Sequence, residues 1–114
     1  MAALVFPETV RHVSTLNDRI VGFVIGDRRR GVNMGWIATI CVHPDFRRQG
    51  LGEQLLRTCE QALDVHRVRL TLRESNKDAR RLYERMGYAE ADRWVRYYRD
   101  KEDGIVMEKW IHPQ

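Results

Sequence analysis

Cysteine is scarce in these 114 residues, and so are long apolar runs. The only two thiols, Cys41 and Cys59, fall inside apolar patterns and lack metal-ligand spacing. That excludes a disulfide framework and a metal module and reads as buried thiols of a reducing compartment. No uncharged apolar stretch approaches the length of a membrane span, which removes a transmembrane reading. The opening Met1-Ala2-Ala3-Leu4-Val5-Phe6-Pro7-Glu8 has no basic leader, continuous apolar segment or small-residue cleavage site, so the expected address is the cytoplasm. Internal repeats and low-complexity segments are lacking too. What is present is ordinary for one soluble domain over residues 1–114, with 43% apolar and 32% charged residues.

Twenty Lys and Arg face sixteen Asp and Glu, a formal charge of +4, and the densest cluster is Arg28-Arg29-Arg30. A polyanionic partner fits such a cluster, nucleic acid being its boldest form. The positive residues are interleaved with acids along most of the chain, so the expectation is a solvated basic loop and no nucleic-acid partner.

The pattern predicts two short strands, Val10 to Leu16 and Ile20 to Ile25, joined as a hairpin at Asn17-Asp18, a pair that tolerates turn geometry. Gly26 to Gly35, with its three arginines and Asn33, reads as a polar connection, and Trp36 to Val42 as a central strand covered on both faces. A glycine-bearing polar loop, His43 to Gly52, then runs into a helical stripe of Leu51, Leu55, Leu56, Cys59, Ala62 and Leu63. Val68, Leu70 and Leu72 alternate with polar residues in a strand from Arg67 to Arg73. Ser75, with Asp78 three positions on, predicts the start of a second helix carrying Ala79, Leu82, Tyr83 and Met86 on one face and stopping at Gly87. Tyr88 to Tyr98 and Ile105 to Ile111 read as two last strands around a polar turn. The order β-β-β-α-β-α-β-β is that of an α/β (α+β) domain with a mixed sheet.

The loop from Arg47 to Gly52 has its own chemistry. Glycines let a ligand approach the backbone, and a helix start presents unpaired N–H groups that favour an anion. Arg47 and Arg48 add charge able to pair with phosphate oxygens. An ordinary tight strand-to-helix loop is the other reading of the same residues.

The run Ile40-Cys41-Val42-His43-Pro44-Asp45-Phe46-Arg47-Arg48-Gln49-Gly50-Leu51-Gly52 resembles the acetyl-CoA-binding segment of the GNAT superfamily of N-acyltransferases. Its signature is Gln or Arg, two residues, Gly, any residue, then Gly or Ala, and Arg47, Gly50 and Gly52 fill it. Ser75-Asn76, Ala79, Leu82-Tyr83-Glu84 and Met86-Gly87-Tyr88 are similar to the second signature of that superfamily. Tyr97-Tyr98 followed by Glu102 to Met107 resembles the tail of the protein N-alpha-acetyltransferases, including those acting on bacterial ribosomal proteins.

The resemblance implies a mostly antiparallel sheet with flanking helices and a site shared by two substrates. Backbone groups of Ile40, Cys41 and Val42 are expected to pair with the pantetheine arm of acetyl-CoA. Arg47, Arg48, Gln49, Gly50, Leu51, Gly52 and Glu53 are expected to hold its pyrophosphate, and Asn76 to touch it from the second helix. Tyr83 is implied as the acid that protonates the departing thiolate; without the resemblance it is a core aromatic. Thr71, Tyr97 and Tyr98 are implied at the amine acceptor, a protein N-terminus by first choice, with small amines and lysine side chains left open. No metal is implied.

Two departures stand out. Thr71 occupies a strand position where related enzymes often carry Glu or His, leaving Glu74, His43 or solvent to take the amine's proton. Only nine residues precede Val10, where the superfamily has a strand and two helices, so an uncovered sheet face and a homodimer are expected. An acetyl-CoA-binding module without turnover is the alternative that fits both departures.

Overall fold

A computed structural model describes residues 8–111 of the chain. Six strands form one sheet in the order β1-β2-β3-β4-β6-β5. They are β1 Glu8–Leu16, β2 Arg19–Arg29, β3 Met34–Val42, β4 Arg67–Arg73, β5 Ala89–Trp94 and β6 Gly104–Trp110, with helices α1 Leu51–Leu63 after β3 and α2 Lys77–Arg85 after β4. Every neighbouring pair is antiparallel except β3 and β4, which run parallel because α1 carries the chain from one to the other.

Local chemistry accounts for the connections. Asn17 and Asp18 both adopt positive φ, 51° and 63°, so the β1–β2 hairpin closes through a two-residue turn of the kind that matches strand twist. Asp64, at φ 49°, terminates α1, and Gly87, at φ 97°, terminates α2 with its N–H on the Glu84 carbonyl at 3.0 Å. Asn76 caps α2, its Oδ1 accepting from the Ala79 N–H at 3.2 Å, so the cap lies one residue beyond the expected Ser75.

The predicted polar connection from Gly26 to Gly35 is largely strand: β2 continues to Arg29, a single 3-10 turn covers Arg30–Val32, and β3 begins at Met34. The glycines there serve packing. A Cβ on Gly26 would stand 2.7 Å from the Cys59 Sγ, and one on Gly35 would stand 2.9 Å from Leu63 Cδ1, so α1 sits closer to β2 and β3 than a side chain at either position allows. Gly26→Val is accordingly expected to lower stability by about 1–3 kcal/mol, read as a reduced urea midpoint with an unchanged slope.

Both helices pack on one face of the sheet. Leu55, Leu56, Cys59 and Leu63 of α1 and Tyr83 and Met86 of α2 share a core with Val24, Ile37, Val68, Leu70, Leu72, Ile105 and Met107. Glu60, 6% exposed, is held there by the Tyr88 hydroxyl at 2.6 Å and by Lys109 Nζ at 3.1 Å. Of the two thiols, Cys59 is buried and Cys41 exposed, which corrects the expectation for Cys41: after the residue inserted at Ala38 it points to the face away from the helices. Burial pushes the Cys59 thiol up to about 11. A disulfide reagent at pH 8 should therefore titrate one thiol in the folded protein and two after denaturation. No described helix is long and apolar enough to cross a membrane.

Among the described residues no helix covers the opposite face, where Val13 is 61% exposed beside Phe23. The final hairpin also differs from expectation: β5 ends at Trp94, so Tyr97 and Tyr98 lie in a loop rather than a strand. An Arg96 N–H bonded to Asp103 at 2.9 Å and a Tyr98 N–H bonded to the Glu102 carbonyl at 3.2 Å close that loop.

Candidate active site

The site begins where two parallel strands part. β3 and β4 pair from Met34 with Arg67 to Ile37 with Leu70 and then separate. At the same level β3 steps two residues, Ile37 to Thr39, against one step in β2, Gly26 to Ile25, so Ala38 is an inserted bulge residue. From Ala38 to Val42 the β3 edge facing β4 therefore has no strand beside it, while its other edge remains bonded to β2. Ile40 and Val42 lie on the helix side of the sheet and Thr39 and Cys41 on the open side, as their partners Val24, Gly22, Ile25 and Phe23 require.

The loop after β3 brings the start of α1 to the top of this split. Arg48 and Gly50 take positive φ, 63° and 78°, and the first intrahelical bond runs from the Gln54 N–H to the Gly50 carbonyl at 3.0 Å. Gly50 offers no side-chain cap, so the N–H groups of Leu51, Gly52 and Glu53 have no intrahelical partner. A Cβ on Gly50 would meet nothing within 4 Å, whereas one on Gly52 would stand 3.3 Å from Leu82 Cδ2 and 3.8 Å from Val42 Cγ2. The two glycines thus differ: Gly50 serves an unusual backbone angle under open space, and Gly52 lets α1, α2 and the end of β3 meet. Arg47 turns back, its Nε donating to the Val42 carbonyl at 3.3 Å, and Glu53 pairs with Arg57 at 3.2 Å. Arg48 and Gln49 are exposed.

Tyr83 stands on the helix side, 7% exposed, with its ring 6.0 Å from that of Tyr88. Burial first, and the neighbouring Tyr98 second, push its hydroxyl up to about 12. Tyr98 in turn lies under the Arg73 guanidinium at 4.2 Å, at the outer end of β4.

Thr71, Tyr97 and Tyr98 are brought together on the opposite side. Gly104 makes this possible: a Cβ there would stand 3.0 Å from Tyr97 and 3.1 Å from Thr71 Cγ2. The Tyr97 and Tyr98 rings are 5.0 Å apart. Arginines hold several carboxylates at this end of the sheet. Arg73 holds Asp100 at 2.9 Å and Glu102 at 3.0 Å; Arg93 holds Glu74 at 3.1 Å and Asp103 at 2.8 Å. Contacts with Ser75 and Arg73 keep the Glu102 carboxyl below its usual range, and the Arg96 N–H and Arg93 do the same for Asp103. Of the residues considered as bases, Glu74 is thus in an ion pair, and the His43 Nδ1 accepts the Asp45 N–H at 3.1 Å.

Sequence reasoning missed Trp36 and Trp94, whose rings stack 5.8 Å apart and continue through Tyr97 at 4.9 Å. Trp36 was hidden in an apolar run, and no local pattern joins it to a residue 58 positions later. A concavity of about 330 Å³ lies between the β1–β2 hairpin and the α1 start, lined in part by Gln49 and Leu51, and another of about 420 Å³ lies beside Glu60 and Lys109.

A single parallel pair thus splays beside an uncapped helix start, and comparison with known proteins identifies the family that carries this arrangement. The chain belongs to the acetyltransferase (GNAT) family, whose profile matches residues 5–88. It is 35% identical over 102 residues to an uncharacterized N-acetyltransferase of Methanocaldococcus jannaschii, covering 86% of this chain and 64% of that protein. It is 33% identical over 99 residues to NAA20, the catalytic subunit of the N-terminal acetyltransferase B complex of Arabidopsis thaliana, covering 81% and 56%. The chain therefore spans less than two thirds of the length of these relatives. The crystal structure of the ribosomal-protein-S18-alanine N-acetyltransferase from Escherichia coli superposes with a TM-score of 0.83 at 32% identity, covering 93% of this chain and 71% of that one.

Proposed function

We propose that residues 1–114 form one GNAT-like domain that transfers an acetyl group from acetyl-CoA to a primary amine by direct attack on the thioester. The observation that carries this reading is the parting of β3 from β4 beyond Ile37 and Leu70 beneath the free N–H groups of Leu51, Gly52 and Glu53. Acetyl-CoA, when bound, supplies an activated acetyl carbonyl on a thiol leaving group.

The residues present fit that ligand. The free edge at Ile40, Cys41 and Val42 takes an amide-bearing arm as an added strand. The open space over Gly50 and the helix start suit a diphosphate. Arg48 is exposed there, and Arg47 keeps its terminal nitrogens free while its Nε holds Val42. Asn76 uses its Oδ1 for the cap and retains its amide N–H₂ for the ligand.

The chemistry then divides between the two faces. The amine nitrogen bonds to the carbonyl carbon while a backbone N–H of the bulged β3 segment stabilises the developing charge on oxygen. The carbon–sulfur bond breaks, the Tyr83 hydroxyl gives its proton to sulfur, and the proton lost by nitrogen returns through water at Thr71 to the Tyr83 oxygen. With Tyr83 pushed up to about 12, the acid stays protonated at every ordinary pH. Thr71 does not titrate, so the rate follows the free-amine fraction. It is expected to rise through the α-amine's own pKa near ~8 and to hold level to about pH 10; a descending limb near pH 8 would remove Tyr83 from the acid role.

A protein N-terminus is the proposed acceptor, supported by the named substrates of the S18-alanine and N-terminal acetyltransferase relatives. Two free thiols suit a cytoplasmic setting, and the strip of exposed Val13 and half-buried Phe23 suits pairing with a second copy, which sedimentation checks. The reading as a whole is tested by injecting coenzyme A in a calorimeter and by following thiol release from acetyl-CoA with N-terminal peptides. Heat with release supports it; no heat on well-folded protein removes it.

A further inference from the structure

Trp36, Trp94, Tyr97 and Tyr98 form one continuous row of rings on the face of the sheet away from both helices. Register fixes that side: Trp36 is paired with Arg69, two residues before Thr71, and Trp94 is paired with Gly104, which is paired with Arg73. The centroid steps along the row are 5.8, 4.9 and 5.0 Å. Its third ring, Tyr97, stands over Gly104 beside Thr71, one residue beyond the last β3–β4 pair. Val106, paired with Thr71 and facing the same way, is fully buried although no described helix lies over it, so the rings roof that part of the sheet. Their outer surfaces remain available: Tyr97 is 54% exposed, and Trp36, Trp94 and Tyr98 are half-buried.

The β4 arginines on this face are engaged, Arg69 with Glu108 and Arg73 with Asp100 and Glu102, whereas Asp92, paired with Val106 on the same face, is exposed and has no ion pair among the described residues. An acidic side chain laid across the rings would lose water, meet the negative ring faces and Asp92, and find Arg69 and Arg73 already engaged. An apolar or aromatic one would bury its surface against flat rings and cost the site nothing polar.

We propose that Trp36 and Trp94 are specificity-determining residues that receive the group next to the reacting amine, selecting acceptors with a large apolar or aromatic first residue over acidic ones. This rests on the acyl-transfer reading, because an amine reaching the split from the open face carries its own side chain onto these rings.

The test uses the full chain with acetyl-CoA and peptides that differ only in their first residue: Met, Phe, Ala or Asp. The expected wild-type result is a kcat/KM for Met and Phe about 10-fold or more above that for Asp. Trp36→Ala and Trp94→Ala should raise KM for Met and Phe while kcat for the Ala peptide and the heat of coenzyme A binding stay at wild-type values, a pattern that mere loosening of the fold does not give. Trp36→Phe and Trp94→Phe keep a ring in place and should restore most of the preference, which also covers the case in which an alanine variant does not fold. Equal rates across the panel, or an unchanged preference in the tryptophan variants, overturn the assignment while leaving acyl transfer standing. Absence of both coenzyme A heat and thiol release removes acyl transfer and this inference together.

Discussion

Tyr83→Phe should lower kcat for thiol release by about 10²–10⁴-fold, the range expected when a positioned proton donor is lost. Coenzyme A affinity should change little, because the ring remains in its place against Tyr88 and only one hydroxyl is removed. Stability should hold as well: no described side-chain hydrogen bond depends on that hydroxyl, and it is not among the buried oxygens left without a partner. If turnover survives the substitution, the departing sulfur takes its proton from water, and the elevated pKa of Tyr83 is a by-product of its place in the core. Single-turnover measurement separates this outcome from slow product release.

Gly50→Glu addresses the other half of the site. Gly50 sits at φ 78°, where an L-residue costs about 1–2 kcal/mol, and its missing side chain faces open space. A carboxylate there brings negative charge to a helix start that favours an anionic ligand. Loss of one or two charge-assisted hydrogen bonds, roughly 2–3 kcal/mol, corresponds to an affinity for coenzyme A about 100-fold weaker. Gly50→Asn is the control, since asparagine tolerates that backbone angle without adding charge; it should keep most of the binding. Equal weakening in both variants would place the cause in the loop's conformation rather than in phosphate recognition.

How much of this was visible in the sequence follows from the range of the interactions involved. The β1–β2 hairpin, α1, β4 and α2 rest on local signals, the Asn17-Asp18 turn, the Leu51 to Leu63 stripe, the Val68-Leu70-Leu72 alternation and the stop at Gly87, and each was readable. Gly26 and Gly35 misled because a glycine making a turn and one admitting a helix look the same until the partner residues, Cys59 and Leu63, are known. The shortening of β5 before Tyr97 depends on Asp103 and Glu102 reaching back to Arg96 and Tyr98, contacts that strand propensity does not register. At the site, the roles of Arg47 to Glu53, Asn76 and Tyr83 are what the family resemblance implies, and local pattern alone places them no further than a strand-to-helix loop, a helix cap and a core aromatic. The Ala38 insertion, the matching of Glu74 by Arg93 and the Trp36–Trp94 stack join distant segments, and no window along the chain contains them.

The depth at which α1 rests on the sheet has a last consequence. With no side chain on Gly26 or Gly35, the helix is seated directly on backbone, and its position is fixed by rigid atoms rather than adjustable rotamers. The amides at residues 51–53 and the bare rim at residues 38–42 thereby become two marks on a ruler. A linear molecule gripped at one mark delivers a defined atom to the other, so a donor longer or shorter by a few bonds would miss the gap even with both of its ends recognised.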